Sequence, residues 1–200
     1  MTPLLPEMIG SDPIRALGAW IDEARAGGQP QPVAMALATA GASGQASARM
    51  VFLRAWGSNG LEWVTDEASR KARDIAERRA VAGVLFWPGL GRQLRVEGSV
   101  TPLSRPEVEA HFARRGPDAR MAAWAGRQGE VVEGRAALRR MLSAAESRFA
   151  GSGAPAPPYW TGHRLRPDVV EFWQEDPEGL HDRILAHRTG AEWTVERLAP

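Results

Sequence analysis

Five short apolar runs crowd into the stretch between residues 33 and 102, and their spacing constrains the fold more than any other feature. Val33 to Thr39 and Ala46 to Arg54 flank Gly41-Ala42-Ser43-Gly44, a hairpin signal. Leu61 to Thr65 follows the turn residues Ser58-Asn59-Gly60. Val81 to Trp87 and Gln93 to Pro102 come after a short helical segment from about Ser69 to Arg78. The last run alternates Leu94, Val96 and Gly98 with Arg95, Glu97 and Ser99, as a half-exposed strand does. Strands this sequential and this closely spaced suit a β-barrel or a curved sheet.

Helices flank this core. Ser11-Asp12-Pro13 precedes Ile14, Leu17, Trp20 and Ile21, so the pattern predicts a capped helix over about 12–27, stopped by Gly27-Gly28. Ser104-Arg105-Pro106-Glu107 resembles a capping box and opens a helical stretch over about 104–150. Gly151 to Pro158 reads as a loop, and about 159–200 returns to strands. The expectation is one α+β domain spanning 1–200, with peripheral helices.

Composition excludes several functions. The chain is 44% hydrophobic, enough for a core, and its formal net charge of +1 offers no global field for nucleic acid or an anionic membrane. It has no cysteine, which removes disulfides, thiolate metal sites and a cysteine nucleophile. His111, His163, His181 and His187 show no metal spacing, so no metal is assigned. No window approaches 18 uninterrupted apolar residues and no secretory signal is visible, so a cytoplasmic protein is expected.

Three segments can carry chemistry. In Arg49-Met50-Val51-Phe52-Leu53-Arg54, strand alternation puts Arg49, Val51 and Leu53 on one face and Met50, Phe52 and Arg54 on the other. Alone, it also reads as a strand with solvated tips. Ser69-Arg70-Lys71 sits at a helix start, where free N–H groups and the positive dipole end attract phosphate. Lys71 is the one lysine among 25 basic residues. Together these segments can meet around one anion. The third is Glu171-Phe172-Trp173-Gln174 with Leu180-His181-Asp182-Arg183. A Trp and an Arg there can wall a flat aromatic ligand, and His181 can handle a proton. The plainer alternative is a core Trp beside a surface Asp182–Arg183 salt bridge.

From about Asp12 to Pro200 the chain resembles the pyridoxamine 5′-phosphate oxidases. Arg49 to Leu53, Ser69-Arg70-Lys71-Ala72, Arg92-Gln93-Leu94-Arg95-Val96, Glu171 to Gln174, Leu180 to Arg183 and Arg197-Leu198-Ala199-Pro200 carry the resemblance, in order and at the family's spacing. It implies an FMN-binding split β-barrel and a homodimer with FMN at the subunit interface. On the same resemblance, Arg49, Met50, Val51, Phe52, Leu53, Val64, Thr65, Ser69, Arg70 and Lys71 would contact the flavin. Gln93, Gln128, Trp173 and Arg183 would complete its site, in part from the second subunit.

The substrate half departs from the family. Where the family grips a substrate phosphate with Lys, Tyr, Arg and Ser, this chain has Arg54, His111, Arg115 and Ala119. An Arg expected before Leu180 is Gly179. Arg54, His111, Arg115 and His181 are the expected substrate residues, with His181 and Arg115 as the catalytic candidates. The resemblance implies an oxidase that passes a hydride from substrate to flavin and then to molecular oxygen. Pyridoxine or pyridoxamine 5′-phosphate is the family substrate. A non-phosphorylated carboxylated ring, as in the related phenazine-biosynthesis flavin oxidases, and a flavin-binding protein without turnover are the alternatives.

Overall fold

A computed structural model describes residues 2–200. A one-turn helix, α1 (Pro6–Ile9), precedes α2 (Pro13–Ala26). The Asp12 side chain accepts the Arg15 N–H at 3.1 Å and Pro13 occupies the first turn, so the cap forms as its sequence dictates. Leu17, Ile21 and Ala24 then fall on one buried stripe.

The strands are β1 (Ala34–Ala40), β2 (Ala46–Phe52), β3 (Ala55–Gly57), β4 (Gly60–Asp66), β5 (Ala80–Trp87) and β6 (Arg92–Pro102). Helix α3 (Arg70–Glu77) lies between β4 and β5. The predicted helical stretch over 104–150 is interrupted. It resolves into α4 (Arg105–Ala113), α5 (Pro117–Ala122) and α6 (Arg135–Arg148), with residues 123–134 non-helical. Gly126, Gly129 and Gly134 take positive φ there, which ends the helical path. The chain closes with β7 (Trp160–Gln174), β8 (Asp182–Thr189) and β9 (Glu192–Arg197).

All the strands join one antiparallel sheet, a curled half-barrel in the order β2-β1-β5-β6-β7-β4-β3, with β8 on β7 and β9 on β8. Strand β7 organises it. Its first half pairs with β4 and its second half with β8, while β6 runs along nearly all of it. The switch falls at a bulge: Glu97 faces Val169 but Gly98 faces Pro167, leaving Asp168 unpaired in the ladder. A bulge bends its strand and increases the local twist. Here that lets one long strand serve two neighbours on the same side.

The inner face holds the core. Met35, Leu37, Trp63, Leu85, Leu94, Leu165 and Phe172 are fully buried, and α2 lays Leu17, Trp20 and Ile21 over them. The Trp20 ring meets Phe172 edge-on at 5.1 Å. Each such side chain contributes roughly 1.5–3 kcal/mol by leaving water. The opposite face is less covered: Met50 is 56% exposed, Phe52 43% and Phe86 56%.

Gly98 is required by the bulge, since a Cβ there would stand 2.1 Å from the Arg166 carbonyl oxygen. Gly98→Ala is therefore expected to destabilise the fold by about 1–3 kcal/mol. Urea denaturation checks this, and a wild-type midpoint would exclude the account.

Candidate functional site

The residues singled out in the sequence fall into three groups, each placed by different elements. The first gathers where α3 packs on β1 and β4. The Ser69 hydroxyl caps α3, accepting the Ala72 N–H at 3.4 Å, and lies 3.3 Å from the Thr65 hydroxyl. Thr65 and Lys71 both donate to the Gln128 side-chain oxygen, at 2.8 and 3.0 Å. Arg49 reaches the Leu37 carbonyl at 3.0 Å and the Thr39 hydroxyl at 2.8 Å, with Asp74 at 3.8 Å. Arg70 leans outward toward the same Asp74 at 3.7 Å.

This group is short of negative charge at its centre. Lys71 is buried, and its ammonium has an amide oxygen as partner rather than a carboxylate. Burial first, then the nearby Arg49, lowers its pKa to about 8 against the opposing pull of Asp66. The Arg49 Nη2 atom is buried and has no hydrogen-bond partner. Buried donors in native proteins are almost always satisfied. A phosphate between Arg49, Ser69 and Lys71 would provide the missing acceptors, so these residues fit a phosphorylated cofactor.

Gln128 is held by a contact that sequence reasoning missed. Asp66 is fully buried and takes a two-pronged bond from Arg127, at 2.9 and 3.0 Å, plus the backbone N–H of Ala68 and Gln128. Burial pushes its carboxyl up, but the Arg127 and backbone bonds outweigh this and hold it below the usual carboxylate range. No local pattern links positions 66 and 127.

The second group lies on the outer sheet face. Gln93 on β6, Trp173 on β7 and Arg183 on β8 occupy one cross-strand row, continued by Phe86 on β5. Met50 and Phe52 share this face from β2, opposite Val51 and Leu53 as the alternation predicts. Val51 and Leu53 point into the core, so their backbone, rather than their side chains, is what a cofactor could meet. The Asp182–Arg183 salt bridge is not formed. Arg183 instead bonds Glu171 at 2.8 Å, and Asp182 bonds Arg197 and the Leu4 N–H. Paired strands put residue 183 directly across from 173, beside 171, which chain proximity could not reveal. Glu171 is buried between Arg183 and Arg95, whose bonds overcome the upward push of burial and keep it ionised. The His181 ring lies tilted at 51° against Trp173 with centroids 4.9 Å apart, and its Nδ1 accepts the Asp176 N–H at 3.1 Å.

The first two groups do not meet within one chain. Thr65 pairs with Thr161 and Gln93 with Trp173, twelve residues farther along β7. That is roughly 40 Å of strand path.

The third group surrounds Arg54. With His111 it lines a cavity of about 350 Å³. The His111 Nε2 bonds Glu62 at 2.6 Å. Arg115 stacks over Phe112 and Trp160 and lines a second cavity, of about 390 Å³, with Gln128. Burial, then Arg54, lowers the Arg115 pKa. Val64, on β4, is half-buried opposite Gly162, and Ala119 lies exposed on α5. Among the described residues, no cluster has the make-up of a metal site.

Asp66→Asn is expected to cost roughly 1.5–3 kcal/mol of stability, because charge-assisted bonds are lost. Asp66 has a depressed folded-state pKa, so its contribution is present at neutral pH and lost as pH falls through that value. The variant should therefore show a flatter acid limb in thermal melts; an unchanged limb would assign acid sensitivity elsewhere.

Known proteins carry the same chain pattern. Residues 21–149 match the family model described as pyridoxamine 5′-phosphate oxidase, and residues 160–200 match the pyridoxine 5′-phosphate oxidase C-terminal dimerisation region. That region contains β7, β8 and β9 and implies a homodimer. A pyridoxine/pyridoxamine 5′-phosphate oxidase of Rubrobacter xylanophilus is 43% identical over 94% of this chain and 87% of its own. One from Acaryochloris marina is 38% identical over 98% and 90%. Among solved structures, PhzG from Burkholderia lata, in complex with tetrahydrophenazine-1-carboxylic acid, superposes with a TM-score of 0.92 at 31% identity, covering 98% of both chains. An FMN-binding protein of Nostoc punctiforme shares the fold, with a TM-score of 0.75 at 21% identity over 96% of this chain and all of its own. By sequence and by architecture, this chain belongs to the pyridoxamine 5′-phosphate oxidase family.

Proposed function

We propose that this protein is an FMN-dependent oxidase acting on a planar ring substrate that carries an anionic group. The observation that supports this most is the buried Lys71 ammonium, whose partner is an amide oxygen, together with the Arg49 Nη2 atom that lacks a hydrogen-bond partner, beside Ser69; a flavin phosphate would satisfy both. Bound FMN would supply the redox chemistry, taking a hydride and returning the electrons to molecular oxygen. The chain's part is to position and to exclude water. Arg49, Ser69, Arg70 and Lys71 hold the phosphate. Thr65 and Gln128, braced by Asp66 and Arg127, flank it. Gln93, Trp173 and Arg183, too far along β7 to serve the same chain's phosphate site, serve the partner's in the homodimer.

His181 works in this reading as an orienter. Its Nδ1 accepts a backbone N–H, so the neutral ring carries its proton on Nε2 and offers a donor, not a base. Arg115 and Arg54 supply positive charge for the substrate.

Pyridoxine or pyridoxamine 5′-phosphate is the first substrate reading, supported by the named activity of the relatives. A carboxylated, non-phosphorylated ring is the second. It is favoured by Ala119, which cannot hydrogen-bond through its side chain, by His111 already bonded to Glu62, and by the ligand named for PhzG.

Purified protein should be yellow and take up FMN; a colourless protein that ignores added FMN would sink the proposal. Lys71→Ala should weaken FMN binding by roughly 1.5–3 kcal/mol. Wild-type affinity should fall as pH rises through about 8, where free Lys71 loses its proton, and the variant should lose that step. Anaerobic mixing with pyridoxine 5′-phosphate should bleach the flavin under the first reading. Bleaching by a dihydrophenazine carboxylate instead would select the second, and none with either would leave a flavin-binding protein.

A further inference from the structure

His163 is a buried histidine that the proposed function leaves unused. It stands in the first half of β7, opposite Trp63 on β4, with ring centroids 5.6 Å apart. It is 7% exposed, and both of its ring nitrogens are buried without a hydrogen-bond partner. The indole Nε1 of Trp63 is buried and unpartnered too. Buried polar groups are almost always hydrogen-bonded, so three such atoms on one cross-strand pair call for a partner.

The register brings Lys71 to this pair. Residues 63 and 65 of β4 share a face with 161 and 163 of β7. Diagonal neighbours in an antiparallel ladder stand roughly 7–8 Å apart, so His163 lies beside Thr65. The Thr65 hydroxyl and the Lys71 ammonium donate to the same Gln128 oxygen. Burial first, then the charge of Lys71, lowers the His163 pKa to about 4. The ring is therefore neutral, with one N–H and one bare nitrogen that accepts. An ammonium has three donors, and Gln128 takes one of those of Lys71. The carboxylates around it are engaged elsewhere. Asp66 is held by Arg127, and Asp74 takes the Thr39 hydroxyl with Arg49 and Arg70 close by. Glu62 lies on the opposite face of β4, bonded to His111 and Arg164.

We propose that His163 is a positioning residue for Lys71: its bare ring nitrogen anchors the ammonium through one bridging water and holds that charge toward the anion site formed with Arg49 and Ser69. The water accepts from Lys71 and from the Trp63 indole and donates to His163, the three hydrogen bonds that a buried water typically makes. The coupling of Lys71 to His163 stands apart from the oxidase reading, because it is measured without flavin. That the held anion is a flavin phosphate rests on that reading.

Lys71 is the one lysine of the chain, so protein carrying isotope-labelled lysine gives a single side-chain signal to follow by NMR. In the flavin-free wild type this signal should titrate at about pH 8. In His163→Phe the midpoint should fall by about one pH unit or more, the loss of one hydrogen bond to a charged group. His163→Gln, which keeps an acceptor, should recover most of that fall. FMN titrations over the same range should show the loss of affinity moving down in the Phe variant and returning in the Gln variant. A histidine that only fills space predicts otherwise: the Phe variant, freed of two unpaired nitrogens, would keep the wild-type midpoint. That result overturns the proposal, as does an equal fall in both variants or an FMN profile that ignores the Lys71 midpoint. Where the Phe variant does not fold, the wild type decides. The ring-nitrogen signals of its neutral His163 should shift as Lys71 titrates, and signals that stay in place overturn the proposal. If no FMN binds at any pH, the flavin reading fails, while the Lys71 midpoints still decide the coupling.

Discussion

The bend in β7 at Asp168 is the constraint on which the rest of the molecule depends. A straight strand of that length would present one edge to one neighbour. The bulge lets β7 take β4 along its first half and β8 along its second. The sheet therefore curls around the core, and the C-terminal strands are carried out onto the less covered face. Gly98 sits opposite because no side chain fits against the Arg166 carbonyl. The bend also separates the phosphate-type group at Thr65 and Lys71 from the aromatic row at Trp173. That separation is why a second copy matters to any site built from both.

Charge inside the fold is divided into two kinds. Glu171 and Asp66 are buried carboxylates fully engaged by arginines and backbone donors. Removing one partner from such a pair costs far more than the pair contributes, so these contacts fix geometry. They hold Arg183 beside Trp173 and Gln128 beside Lys71. By contrast the buried Lys71 ammonium meets only an amide oxygen, and Arg49 Nη2 is buried without a hydrogen-bond partner, with Asp74 3.8 Å away.

The Lys71 group and the Arg54 cavity differ in their relation to the family pattern. Around Lys71 the residues follow it closely. Around Arg54 they depart from it, with His111 bonded to Glu62 and arginines entering from α2 and α4. The same scaffold can accept that change because the cavity is lined by helix ends and a post-strand residue, whose side chains can vary without disturbing the ladder.

Much of this was legible in the sequence. The strand runs, the Asp12-Pro13 cap and the Ser69 helix start follow from local patterns of period, turn chemistry and capping, which need no distant partner. Strand alternation also put Met50 and Phe52 on the face opposite Val51 and Leu53, and the structure turned the first pair outward and the second inward. The break at 123–134 escaped because the flanking segments are helix formers and the glycines act only through their φ values. The pairings of Asp66 with Arg127, Glu171 with Arg183, Glu62 with His111 and Arg25 with the Arg54 cavity were settled by tertiary structure alone. Each joins residues that strand register or helix packing brings side by side. Sequence determined the elements, through local period, turn and capping chemistry that needs no distant partner; the curl of the sheet decided which charges meet.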